Sequence, residues 1–189
     1  MTRTRIRNTW RCLFCFSLSA AIPACKPSGN ANHAGSSNAT AEKSEGESKA
    51  LSAMLLASEP ADAKSVAEVK RTAKIGDEVL FRGRVGGRTD PLVADRAIMT
   101  VADMELVPCN ARHGDACPTP WDYCCETPED LKSRTITVQA VGTDGKPLKA
   151  DWRGAGIKPL GEVVVRGRIA SLGEGQPIIV NATGIHIKG

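Results

Sequence analysis

Two eight-residue stretches, Glu78-Val-Leu-Phe-Arg-Gly-Arg-Val85 and Glu162-Val-Val-Val-Arg-Gly-Arg-Ile169, align without a gap. Both are aliphatic, largely β-branched runs bounded by glycine and aspartate, which reads as strand. Each also sets a glycine in mid-strand, where a bulge or sharp bend lets a small sheet curl shut. Three further strand-like runs lie near residues 97–106, 134–141 and 178–187, and the second echo extends over 161–170. Gly86-Gly87, Thr143-Asp144-Gly145-Lys146-Pro147 and Gly173-Glu174-Gly175 supply turns between them.

The paired pattern resembles that of OB-fold domains, whose first and fourth strands share a Val-x-Gly-x-Val-like motif. The resemblance covers residues 76–189. It implies a mainly β fold, a small five-stranded OB-like Greek-key barrel with a short N-terminal helix and a Cys-rich loop insert. The helix is expected over 59–75, with Ser58 as its N-cap, Pro60 in its first turn, and Ala63, Val66, Ala67 and Val69 at helical spacing as far as Arg71.

The formal charge of +4 does not belong to this domain. Arg3, Arg5, Arg7 and Arg11 stand in an acid-free head, whereas residues 76–189 hold 14 basic and 15 acidic side chains. After the head, Leu13 to Ala21 form an apolar run too short to span a bilayer, as in a signal peptide. The following Ile22-Pro23-Ala24-Cys25 resembles the lipobox of bacterial lipoproteins, with Pro23 standing where a small residue is usual. That resemblance implies a signal peptide over 1–24, a lipid on Cys25, and an extracytoplasmic location in the cell envelope with the membrane as a partner. An ordinary signal peptide cut after Ala24 and an uncleaved anchor are the alternatives. Cys12 and Cys15 fall in the removed segment, so their CxxC spacing is no redox motif. Residues 25–58 read as a disordered tether, with His33 solvated and Leu51, Met54, Leu55 and Leu56 a brief apolar patch.

Cys109, Cys117, Cys124 and Cys125 all lie within 17 residues of an insert spanning 107–130. Outside the cytoplasm an even set of thiols is first a disulfide staple, its pairing open. A tetrahedral metal site is the second reading, with zinc as the metal and His113 or Asp115 as further ligands. Labile thiol or copper chemistry is the third. The insert resembles those of OB-like lipoproteins of unassigned function, which implies an architecture and no activity.

Arg82, Arg84, Arg166 and Arg168, with Trp121 and Tyr123 of the insert, form a candidate ligand surface, although outward strand arginines are more often solvated or ion-paired. Thr135, Thr137 and Gln139 make a polar face beside it. A domain of near-zero charge with only Phe81, Trp121, Tyr123 and Trp152 as aromatics is poorly equipped for nucleic acid. No residue set with catalytic spacing occurs, and His186 reads as an outward strand residue. The expectation is a binding or assembly module for an envelope protein, a glycan or a small ligand, without catalysis and without an obligatory cofactor.

Overall fold

The computed structural model describes residues 37–114, 116–172 and 177–189. The export segment with Cys12, Cys15 and Cys25, His33, Asp115 and the Gly173-Glu174-Gly175 turn lie outside the described residues. Helix α1 spans Ser37–Ser52 and is followed by the two-residue strand β1, Lys64–Ser65, and helix α2, Val66–Thr72. Strands β2, Glu78–Val85, and β3, Ile98–Ala102, precede helix α3, Pro128–Arg134, and strand β4, Thr135–Gln139. Strands β5, Glu162–Ser171, and β6, Ile179–Ile187, complete the chain.

β2 pairs antiparallel with β3, and β3 with β4; β4 lies parallel to β6, which is antiparallel to β5. β5 returns to pair antiparallel with β2, so the five strands close into a barrel with the expected OB-like Greek-key order. The two echoed sequences are therefore direct neighbours. In register, Glu78 faces Arg168, Val79 faces Gly167, Gly83 faces Val163 and Arg84 faces Glu162. Position n of one copy meets position 8 − n of the other, which makes the repeated sequence complementary to itself when its copies run antiparallel.

Both mid-strand glycines are required by close approach. A Cβ at Gly167 would stand 2.5 Å from the Asn181 carbonyl oxygen, and one at Gly83 would stand 2.6 Å from that of Ala102. The β5–β6 register shifts between Arg166 and Gly167, the bulge expected there. Phe81, Met99, Val101, Ile136, Val165 and Ile185 fill the interior.

The helices differ from expectation. Ser65, not Ser58, caps α2: its side chain accepts from the Glu68 N–H at 3.1 Å, in a Ser-x-x-Glu box. The preceding residues are held otherwise, with Asp62 at φ 63° and Lys64 and Ser65 paired parallel to Phe81 and Arg82. Buried Asp103 accepts from the Ala67 N–H at 2.7 Å and ties the start of α2 to the end of β3.

The disordered tether expected over 25–58 is also corrected, because residues 37–52 are helical. The segment has Ala, Glu and Lys, good helix formers, but no apolar stripe to betray the period. Leu51 at its end is buried, and Glu47 accepts from the Lys149 backbone N–H at 2.7 Å. Beyond α1 the apolar patch docks on β6, where Leu55 bridges Ile185 and Leu56 N–H donates to the Ile185 carbonyl at 2.7 Å. His186 is half-buried, its Nδ1 3.1 Å from the Leu56 carbonyl oxygen. Among the described residues no helix is long and apolar enough to cross a membrane.

Replacing Gly167 with alanine is expected to cost about 1–3 kcal/mol in urea denaturation, because backbone and a packed valine must move. Gly154→Ala, where an added Cβ meets nothing within 4 Å, should change stability by less than about 0.5 kcal/mol.

Candidate metal centre

The insert leaves β3 at Asp103 and folds back over the outside of that strand. Met99 and Val101 point into the barrel, so Thr100 and Ala102 point away from it, yet both are buried. Tyr123 of the insert packs with Ala102 and Leu106, and Leu131 of α3 joins them. Gly86 and Gly87, expected only as a turn, form the seat: the Gly87 N–H donates to the Trp121 carbonyl at 2.8 Å, and a Cβ on Gly86 would meet that oxygen at 2.6 Å. Trp121 Nε1 donates to the Thr89 carbonyl at 2.9 Å, fastening the insert to the loop after β2.

Two short 3-10 turns, Cys109–Ala111 and Pro120–Asp122, then bring the thiols together. Cys109 is buried, with its sulfur 3.6 Å from that of Cys124, and the Cys117 sulfur lies 3.8 Å from Cys124. A disulfide requires about 2.05 Å, so the expected staple does not join these three residues. Thiolates around one tetrahedral ion at about 2.3 Å stand about 3.8 Å apart, simply from the tetrahedral angle. The observed spacings match that edge.

A fourth group completes the set. Cys109, Cys117 and Cys124 sulfurs and an Asp122 carboxylate oxygen all lie within 4.8 Å of one another, so the four could hold a metal ion. Asp122 is oriented from both sides, accepting from the Thr119 hydroxyl at 2.8 Å and from the Cys124 N–H at 2.9 Å. Burial works to raise its pKa, but these two donors outweigh it and hold the carboxyl below its ordinary value. At Cys109 burial likewise pushes upward, and the Cys125 N–H together with the thiols of Cys125, Cys124 and Cys117 carry the net shift downward. Cys124 is shifted upward, chiefly by its hydrogen bonds to the Cys109 and Cys117 sulfurs.

His113 is exposed and is not one of the clustered groups, while Asp122, not singled out from the sequence, is. The signal for Asp122 is its Asp-x-Cys spacing, which closes a turn on the Cys124 N–H. Tyr123, expected on a ligand surface, is fully buried because it is the apolar plug between insert and β3. It holds a left-handed φ of 56°. Burial raises its pKa against the opposing pull of Arg84, and among the described residues its hydroxyl has no partner of hydrogen-bond geometry. Trp121 is half-exposed.

The strand arginines are largely absorbed by the barrel. Arg168 pairs with Glu78 at 2.9 Å, and Arg82 pairs with Glu59 and, at 3.5 Å, with Glu162. Arg84 stands opposite Glu162 in register, and Arg166 is exposed. On the polar face of β4, Gln139 is bonded to Asn181 and Thr135 to the Leu131 carbonyl. Two surface recesses, about 690 Å³ beside α1 and the 142–149 loop and about 580 Å³ beside α2 and the start of β2, do not touch the cysteine cluster.

No protein-family model and no curated protein matches this chain. Among solved structures, the hypothetical protein ygiW from E. coli is similar at 13% identity and a TM-score of 0.36, over 68% of this chain and 94% of that one. At that score the likeness adds nothing to the strand order, which carries the fold by itself.

Tyr123→Phe should leave stability within about 1 kcal/mol of the parent, since the lost hydroxyl has no partner to orphan. Tyr123→Ala should cost about 3–5 kcal/mol through the cavity it opens between insert and β3. Urea denaturation of the two variants measures both, and an equal loss in each would show that the hydroxyl is bonded.

Proposed function

We propose that this chain is a lipid-anchored, extracytoplasmic binding or assembly module that presents its insert, clipped by a zinc-type metal, to a partner in the cell envelope. The observation that carries this reading is the placing of the insert. Small OB-type barrels ordinarily use the outer face of their second and third strands for ligands. Here the second strand in barrel order, β3, has its outward Ala102 buried with Leu106 and Tyr123 of the insert. The available recognition surface is the insert itself, with Trp121 at its rim, and the partner it would meet is an envelope protein, a glycan or a small ligand.

This arrangement also weighs against the nucleic-acid alternative. A single strand would need a basic groove with stacking aromatics on the barrel face, whereas Tyr123 is buried and Arg82 and Arg168 are ion-paired. No catalytic role is proposed. The lipid anchor rests on the lipobox resemblance at Cys25, and the metal rests on the thiol spacing.

Three measurements test the reading. Cys25→Ala should move the chain from the membrane to the soluble fraction, and persistence in the membrane fraction would remove the anchor. The full mature chain, purified in detergent under reducing conditions, should carry about one equivalent of zinc, a site stoichiometry set by one four-ligand cluster. A metal-free chain whose four thiols are all oxidised would overturn the clip. Oligonucleotide titration should show no tight, salt-dependent binding; finding it would restore the nucleic-acid alternative.

A further inference from the structure

We infer that the ion is held by three thiolates, Cys109, Cys117 and Cys124, and one carboxylate, Asp122, in an open site whose carboxylate arm is displaceable, with Cys125 outside the ligand set. This deepens the metal reading proposed above and rests on it.

The case begins with the adjacent pair Cys124-Cys125, which at sequence level suggests four thiolates. Geometry separates the two. Cys124 lies within reach of both Cys109 and Cys117, while Cys125 is not in the group of mutually close ligand atoms and Asp122 is. Cys125 reaches Cys109 through both its backbone N–H and its thiol, but it is not one of the four residues whose ligand atoms all lie within 4.8 Å of one another. Such an N–H orients a thiolate and disperses its charge without occupying a coordination position. The Asp122 carboxylate is pre-set by the Thr119 hydroxyl and the Cys124 N–H, the kind of outer support that accompanies metal ligands. Each of its oxygens accepts only one of these bonds, which leaves lone pairs for an ion.

Charge is consistent with this assignment. Three thiolates and a carboxylate around a divalent cation leave a net charge of −2, which needs neighbouring donors. The same segment holds two buried polar groups, Arg112 Nε and Tyr123 Oη, with no hydrogen-bond partner among the described residues. Arg112 is fixed by its backbone N–H on the Cys109 carbonyl at 3.0 Å and by an ion pair to Glu126.

Openness follows from position. Cys109 is buried at the floor, Cys117 and Asp122 are half-exposed, and Cys124 is exposed. Closed structural zinc sites use four strong ligands, whereas sites that exchange a ligand keep one weak or vacant position. A hard carboxylate among three soft thiolates, at the solvent side, is that weak position. An incoming thiolate or imidazole can take it without disturbing the sulfur floor, and the ion then exchanges faster than from a four-thiolate cage.

The test is a cobalt(II) titration of the full mature chain under reductant, read through the thiolate-to-cobalt charge-transfer band and competed with zinc. The deciding pair is Cys125→Ser and Asp122→Asn, which sit at exposed and half-exposed positions and leave the barrel core untouched. Cys125→Ser should keep the parental band and affinity. Asp122→Asn should keep the thiolate band but bind roughly tenfold or more weakly, with faster release of the ion to a chelator. Cys117→Ser and Cys124→Ser should each lose a third or more of the band. A band that falls in Cys125→Ser as it does in Cys124→Ser, with Asp122→Asn unchanged, would establish four thiolates and overturn the inference while leaving the metal clip standing. Absence of any cobalt or zinc binding by the parent would sink both.

Discussion

The antiparallel seam between β2 and β5 is the interaction on which this structure depends. It closes the sheet, and it is made from two copies of one sequence that complement each other head to tail. Glutamate at the first position meets arginine at the seventh, and each glycine lies opposite a valine. The exposed ion pairs add little energy, since Glu78 and Arg168 are both well solvated. Their value is in register: a slip of one residue would turn Phe81, Val165 and Ile169 outward and set the charged positions opposite apolar residues or glycine.

Closure at that seam also explains the insert. Once β2 is fixed by β5, its last residues and the following Gly86-Gly87 present a backbone platform beside β3. The insert settles there through main-chain contacts and a single aromatic plug, which needs little apolar sequence. The cysteines cannot supply a core of their own. They draw together two short turns whose burial is slight, and a coordinated ion is a cohesive element suited to so small a segment.

The barrel was legible because its signals are local and periodic. All five barrel strands follow from alternation, glycine placement and the echo, whereas the pairing of the two echoed strands into the closing seam emerges from the structure. The N-terminal elements were less legible for a physical reason. α1 has no apolar stripe, so helical propensity acts there without the periodic pattern that reveals it. Ser65 as a cap was masked by Ser58-Glu59-Pro60, a better-looking start that the pairing of Lys64 and Ser65 with β2 overrides. Thr127-Pro128-Glu129-Asp130 carries a complete helix-start signal, yet it fell at the edge of an insert read as loop. In the site, the cysteines announced themselves and Asp122 did not, because what brings its carboxylate to the thiols is the turn it closes on the Cys124 N–H. His113 failed for the converse reason: ligand chemistry without placement.

The docking of the segment after α1 has a mechanical consequence. Met54 to Leu56 run alongside β6, held by the Leu56 and Ile185 N–H bonds and by the Leu55 bridge. Tension entering from the N-terminal side meets this short fastening before it reaches any hydrogen bond of the barrel seam. The fastening has few bonds and the seam has many, so it yields first and lengthens the leash while the barrel keeps its shape. The chain thus contains its own slack, stored as a strap and a helix, on the N-terminal side of the domain that must stay folded.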